Sequence, residues 1–142
     1  MIKMSTNQFD VMEYDNIAEL MIEPNFDLDV VEIIHQMKEL ASLSIIDIQK
    51  MIAACRWKLV PAANKVVESG SGSKDVLLLL KGQVRVLKFS DSGSPVSSID
   101  IESGEIIGEF LNFDGEACSA SVFALSLCWF AVLDAKYAKS LV

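Results

Sequence analysis

Between Leu28 and Leu40 the apolar positions Val30, Val31, Ile33, Ile34, Met37 and Leu40 recur at intervals of three and four, which puts them on one helical face and predicts a helix there. Ser44 followed by Asp47 sets a hydroxyl at an N-cap and a carboxylate at the third helical position. Ile45, Ile48, Met51 and Ile52 continue the helical spacing, so a second helix is predicted to about Cys55. Beyond Arg56 the period changes. Short runs rich in Val, Ile and Leu are separated by Gly, Ser, Asp and Pro at intervals of about eight to twelve residues, the texture of an antiparallel sandwich or barrel. The predicted strands are Arg56–Val60, Lys65–Glu68, Val76–Lys81, Gln83–Phe89, Val96–Ile101, Glu105–Ile107, Ser119–Ala124 and Leu127–Leu133. Eight short strands predict a mainly β fold, an antiparallel jelly roll preceded by helices.

Patterning inside these elements refines the picture. The aliphatic run Val76–Leu80 predicts a strand buried on both faces, whereas Val84 and Val86, with Leu87, interrupt Arg85 and Lys88 as in a strand with one wet face. Trp57 and Trp129 lie on strands and read as core. Residues 1–27 form an acidic arm broken by Pro24, whose apolar residues (among them Val11, Met12, Ile17, Leu20 and Met21) predict at most one short amphipathic helix between Glu13 and Glu23. The rest, 28–142, reads as one domain, with helices to about residue 55, the β-roll over 56–133, and the first turns of a terminal helix from an N-cap at Asp134 to Val142. Ser69 to Ser73, a Ser-Gly alternation between regularly spaced strands, reads as a tight exposed loop.

Composition narrows the functional classes. The chain has 142 residues, 51% of them hydrophobic, yet its longest aliphatic run is far short of the about 20 residues a membrane helix needs, so a soluble domain with a large core and no membrane contact is expected. Met1 to Asp10 has neither an apolar block of signal-peptide length nor a small-residue cleavage site, which makes the cytoplasm the expected location. The net charge is −8, and Arg56 and Arg85 are the two arginines, so nucleic-acid binding by this chain is not expected. Cys55, Cys118 and Cys128 include no C-x-x-C pair and read as free thiols. His35, the single histidine, sits on the first helix between apolar residues. The sheet region therefore lacks the histidines of a metal-binding jelly roll and any Ser/His/Asp or Cys/His set, so no metal, no cofactor and no enzymatic activity are expected.

Several motifs converge. Pro61-Ala62, Gly70, the run Leu80-Lys81-Gly82-Gln83-Val84-Arg85-Val86-Leu87, the approach Ser103-Gly104-Glu105-Ile106-Ile107-Gly108-Glu109 and the exit Ser119-Ala120-Ser121-Val122-Phe123-Ala124 together resemble the cyclic-nucleotide-binding domain family, over about Leu28 to Val142. The spacing of twelve between Gly70 and Gly82 also matches that family. The resemblance implies a cassette that begins at Gly108-Glu109 and takes the ligand's ribose on the glutamate. In the family, an arginine ten residues beyond the glycine, with backbone N–H groups at a short helix start, takes the cyclic phosphate. Here that position is Cys118, and the proline that commonly precedes it is Ala117.

Between Gly104 and Cys118 stand four carboxylates, Glu105, Glu109, Asp114 and Glu116, and no Lys or Arg, a field that repels an anion. The implied site set is Gly108, Glu109, Cys118, Ser119 and Ser121, with cAMP or cGMP as the implied ligand. Glu109 has a second reading, an ordinary carboxylate near the positive end of a short helix. Cys118 reads as an inert thiol, since its neighbours are acidic and a reactive thiolate needs nearby positive charge. If a phosphate is bound, its cation must come from elsewhere, with Lys58, Lys65, Lys74 and Arg85 as the candidates in the sheet region.

The family's fold continues into a lid helix and an attached output module, and here the chain stops at Val142. The expected role is therefore a regulatory or scaffolding module with weak or no cyclic-nucleotide binding, acting through protein contacts as a homodimer or on a partner, with the apolar segment Ile17–Leu40 as the contact. The alternative is a genuine cAMP or cGMP sensor with a rearranged phosphate site.

Overall fold

The structure, a computed structural model, describes residues 11–21, 29–67, 75–90, 92–107, 120–134 and 137. Its elements run β1 (Met12–Tyr14), α1 (Ile17–Met21), α2 (Val30–His35), a 3-10 turn (Lys38–Leu40), α3 (Ile45–Ala54), β2 (Arg56–Val60), β3 (Lys65–Val67), β4 (Val76–Lys81), β5 (Gln83–Phe89), β6 (Pro95–Glu102), β7 (Ile106–Ile107), β8 (Ala120–Ala124) and β9 (Cys128–Leu133). Each of the eight predicted strands is present, and all pair antiparallel. A five-stranded sheet has the order β1-β2-β9-β4-β7, and a four-stranded sheet has the order β3-β8-β5-β6.

The five-stranded sheet is the middle layer. Val76, Leu78 and Leu80 of β4, with Trp57, Trp129, Ala131 and Leu133, pack against the helical residues Ile34, Met37, Ile48 and Met51. The alternate residues Leu77 and Leu79, with Cys128, Phe130 and Val132, meet Val84, Val86, Val122 and Ala124 of the four-stranded sheet. Side chains of a strand point alternately to opposite faces, so a strand covered on both sides must be apolar throughout, as β4 and β9 are. Among the described residues no helix is long and apolar enough to cross a membrane.

The N-terminal end departs from expectation in two places. The one short helix expected between Glu13 and Glu23 is present as Ile17–Met21, but a strand that was not expected precedes it: Met12–Tyr14 lies on the edge of β2, pairing Met12 with Leu59 and Tyr14 with Trp57, and Tyr14 is buried. Alternation suits that edge, because Tyr14 fills the core under the helices while exposed Glu13 takes the other face. The helix that follows is short and starts at a capping box: the Glu19 N–H donates to Asn16 Oδ1 at 3.1 Å and the Asp15 N–H to Glu19 Oε2 at 3.0 Å.

The helix expected over Leu28–Leu40 is likewise interrupted. Asp29 caps α2 by accepting from the Glu32 N–H at 3.2 Å, but Met37 is extended (φ −65°, ψ 129°), and the chain resumes as the 3-10 turn. Met37 at the break and Leu40 in the turn beyond it are both buried. The second helix is as expected, with the Asp47 N–H donating to Ser44 Oγ at 3.1 Å. The Ser69–Ser73 run and most of the terminal segment lie outside the described residues; Tyr137 is helical and packs against the helical core.

Cys55, at the end of α3, is a buried free thiol, as is Cys128. Burial pushes the Cys55 thiol from its ordinary 9.0 up to about 12. In the unfolded chain this thiol ionises near its ordinary value, so the stability gained by burying it neutral is intact below that pH. It is lost as the pH rises from about 9 toward 12, at no more than about 1.4 kcal/mol per pH unit. Urea unfolding between pH 8 and 11 is expected to show this loss in the unmodified chain and a flatter profile in Cys55→Ala. Equal slopes would show that Cys55 does not set it.

Candidate functional site

The four-stranded sheet presents one face to the inner core, and cross-strand register defines the rows on it. Residues directly opposite in neighbouring strands share a face. On β8, β5 and β6 the first row is Ala124, Val84 and Ile101, the second Val122, Val86 and Ile99, and the third is headed by Ala120, Lys88 and Ser97. Val84, Val86 and Val122 are buried, Ile101 is half-buried, and Ile99 is 54% exposed although its neighbour Val86 is 1% exposed. Among the described residues, the apolar inner face is therefore covered at Val84, Val86 and Val122 and open at Ile99.

Lys88 belongs to this face. The sequence pattern grouped it with Arg85 on the wet side, but the alternation of β5 puts Arg85 and Leu87 on one side and Val84, Val86 and Lys88 on the other, with Lys88 exposed at the end of the row. Arg85 is committed on the outer side, where its Nε donates to Asp100 Oδ1 at 2.8 Å and Nη2 to Asp100 Oδ2 at 3.1 Å. These hydrogen bonds hold the Asp100 carboxyl below the usual carboxylate range and raise the Arg85 guanidinium.

The other cations proposed from sequence are also placed. Lys58 Nζ donates to the Val66 carbonyl at 3.4 Å, and Lys65 Nζ stands 5.9 Å from the centre of the Phe123 ring, in the outer row that pairs Lys65 with Phe123 and Phe123 with Arg85. Lys74 lies outside the described residues.

Of the site residues expected from sequence, Gly108, Glu109, Cys118 and Ser119 also lie outside the described residues. The strands on either side of them are described: β7 ends at Ile107, buried between the sheets, and β8 begins at Ala120 in the opposite sheet. Ser121 is buried and lies opposite Leu87 on the face away from Val122. The sequence reading missed Lys88, Ser97, Ile99 and Ile101 as residues of one face. Alternation within β5 was the available signal for Lys88, but the β5–β6 register that adds the other three is a tertiary fact.

The approach to this face rests on two glycines. Gly104 (φ +95°) donates its N–H to the Leu79 carbonyl at 2.8 Å, and Leu79 returns its N–H to the Glu105 carbonyl at 3.0 Å, which directs the chain into β7. Gly82 (φ +107°) joins β4 to β5 and lies against the turn before β9. Among the described residues no cluster of His, Cys, Asp and Glu could hold a metal ion.

Comparison with known proteins places this arrangement. The family model described as the cyclic nucleotide-binding domain matches residues 58–142. A cyclic nucleotide-binding domain from Methylobacillus flagellatus has a similar structure, with 23% identity, a TM-score of 0.70, and coverage of 93% of this chain and 71% of that one. A triple mutant of the regulatory subunit of a cAMP-independent protein kinase A from Trypanosoma brucei, bound to cAMP in its A site, matches with 18% identity and a TM-score of 0.69 over 80% of this chain and 42% of its own. The regulatory subunit of a cAMP-independent protein kinase A from Trypanosoma cruzi, bound to guanosine, matches with 16% identity and a TM-score of 0.68 over 78% of this chain and 39% of its own. The chain thus spans about two fifths of the kinase regulatory subunits it resembles. No curated protein matches it at a significant level.

Proposed function

The chain belongs to the cyclic nucleotide-binding domain family, and from that premise we propose a non-enzymatic regulatory module that responds weakly, if at all, to cAMP and cGMP and passes its signal through protein contacts. The observation that carries this reading is Cys118 at the cassette's arginine position, in a stretch from Gly104 that holds four carboxylates and no Lys or Arg. A hydrogen bond to a charged partner contributes about 1.5–3 kcal/mol, and a bidentate arginine–phosphate contact makes two. Its loss weakens binding by roughly two to four orders of magnitude.

Similar structures give this reading a precedent. One relative in fold is called cAMP-independent and holds guanosine, a nucleoside without phosphate, and another holds cAMP in a mutant one of whose three changes introduces an arginine. The helical layer offers the surface for protein contact: Met21 and Ile46 are 59% and 64% exposed, and an apolar groove lined by Ile17, Met21, Val30, Val31 and Ile52 runs across it. Amphipathic helical faces of this kind dock readily on a partner or a second copy.

The test is an amide NMR titration of the intact chain with cAMP and cGMP. Shifts that saturate only in the millimolar range, or none at all, are the expected outcome. Saturation at micromolar concentration would overturn the reading and make the chain a cyclic-nucleotide sensor.

A further inference from the structure

We infer that the outer edge of β6 is a self-association surface, on which a second copy of this chain adds its own β6 antiparallel and joins the two four-stranded sheets into one continuous sheet. The contact is made by backbone and lies apart from the helical groove and from any nucleotide.

A strand at the edge of a sheet presents unpaired N–H and C=O groups to any chain that can align with it, and short edges, lysines, interior prolines and covering elements are the usual protections. Among the described residues three of the four sheet edges are short, with three residues each in β1 and β3 and two in β7, whereas β6 runs for eight. Its sequence, Pro-Val-Ser-Ser-Ile-Asp-Ile-Glu, has no lysine and no proline beyond the first residue, and among the described residues no strand pairs with its outer side. Its carboxylates do not guard that side either. Arg85 holds Asp100, and Gln83 Nε2 donates to Glu102 Oε1 at 3.0 Å, both across the ladder to β5. Along the strand Val96 and Ile99 are 63% and 54% exposed.

Backbone direction fixes which groups β6 offers. Gln83 donates its N–H to Ser126 Oγ at 3.0 Å and accepts at its carbonyl from the Leu125 N–H at 2.8 Å, so both of its backbone groups face the β8 side. Alternation along β5 turns those of Val84, Val86 and Lys88 toward β6, where Ile101, Ile99 and Ser97 meet them. The alternate residues Ser98, Asp100 and Glu102 therefore direct their N–H and C=O groups outward.

The outward pattern is self-complementary. With a two-fold axis at Ile99, Ser98 and Asp100 of one copy lie opposite Asp100 and Ser98 of the other, which gives about four backbone hydrogen bonds. Each Asp100 carboxylate then faces a serine hydroxyl able to donate to it, and Glu102 faces Val96. The two Ile99 side chains fall in a non-hydrogen-bonded pair, where Cα atoms are about 4.5 Å apart and side chains are closest, so each covers the exposed area of the other. An axis at Asp100 would set two carboxylates directly opposite, and an axis at Ser98 would leave Ile99 against Ser97, so the Ile99 register is selected.

Sedimentation equilibrium and amide hydrogen exchange of the intact chain test this. A monomer–dimer equilibrium is expected, with a dissociation constant of about 10–100 µM for so small an interface. The Ser98 and Asp100 amides are expected to exchange slowly in the dimer and to lose that protection on dilution, while those of Ile99 and Ile101 stay protected at every concentration. Ile99→Lys sets two ammonium groups opposite one another and is expected to weaken association at least about tenfold. Ser98→Pro, which removes an outward N–H and leaves the ladder to β5 intact, is expected to do the same, and an unchanged spectrum away from β6 shows that either variant is folded. A chain that stays monomeric at about 1 mM overturns the assignment and leaves the edge for an extended segment of another protein. A dimer that persists in both variants with the Ser98 and Asp100 amides unprotected also overturns it, because the contact then lies on another face. So does protection of those amides that ignores concentration, because the edge is then covered within one copy.

Discussion

Alanine at Gly82 is expected to lower the stability of the fold by about 3–5 kcal/mol, measured as a fall in the urea unfolding midpoint. Two costs add. The φ of +107° lies in the region that L side chains rarely adopt, and left-handed backbone costs a residue with a Cβ about 1–2 kcal/mol. A Cβ there would also stand 2.5 Å from the Leu127 carbonyl oxygen and 2.7 Å from Cys128 Sγ, closer than atoms approach, and the first of these is backbone.

The neighbourhood cannot yield cheaply. The Gln83 N–H donates to Ser126 Oγ at 3.0 Å, the Leu125 N–H donates to the Gln83 carbonyl at 2.8 Å, and the Cys128 thiol donates to the Gln83 carbonyl at 3.3 Å. Moving the turn away from a new methyl would break this net, which holds the start of β5 against the start of β9. Gly104 is the control, because its φ of +95° carries the same backbone cost while nothing lies within 4 Å of the added Cβ. Gly104→Ala is expected to cost only about 1–2 kcal/mol. Equal losses at the two glycines would show that the contact with residues 127 and 128 is not what makes Gly82 necessary.

The second large effect is a gain. Cys118→Arg is expected to raise cAMP affinity by at least about a hundredfold, read by calorimetric titration, because it restores a bidentate guanidinium where the family places its phosphate contact. The sign follows from charge: the stretch from Gly104 to Cys118 carries carboxylates alone, so a single cation there both attracts the phosphate and offsets their repulsion. Lysine at the same position is expected to recover less, since an ammonium cannot make the two parallel bonds of the fork. A Cys118→Arg chain that unfolds like the unmodified one and still ignores cAMP would mean that more of the cassette than its arginine has been lost. A response confined to this variant would support a face that has kept its shape and lost its phosphate clamp.

Much of the fold was legible because its strands obey simple period rules. The uninterrupted apolar run of β4 announced a strand covered on both sides, and all eight strands past Arg56 were located to within one or two residues, since the turn residues between them leave little freedom in where a ladder can start or stop. Asn16 and Glu19 carried the signature of a helix start that went unread, and the Val30–Leu40 pattern hid a break, because apolar spacing alone does not distinguish one helix from two short turns that share a buried side. The candidate site was legible only as a motif. Position 118 could be counted from Gly108, but the residues of the open face could not be grouped by counting along one strand.

By itself, then, the sequence determined the class of fold and the extents of the strands past Arg56, because each depends on local period, turn chemistry or spacing. The tertiary structure decided which residues meet. It made Met12–Tyr14 a strand by offering it the edge of β2, set the five-stranded sheet between helices and a second sheet, and turned Asp100 outward to Arg85 while leaving Lys88 beside the open Ile99. The reason is physical: alternation fixes two sides for every strand, but only the register between strands distant in sequence selects the neighbours on each side and the place where the covering layer ends.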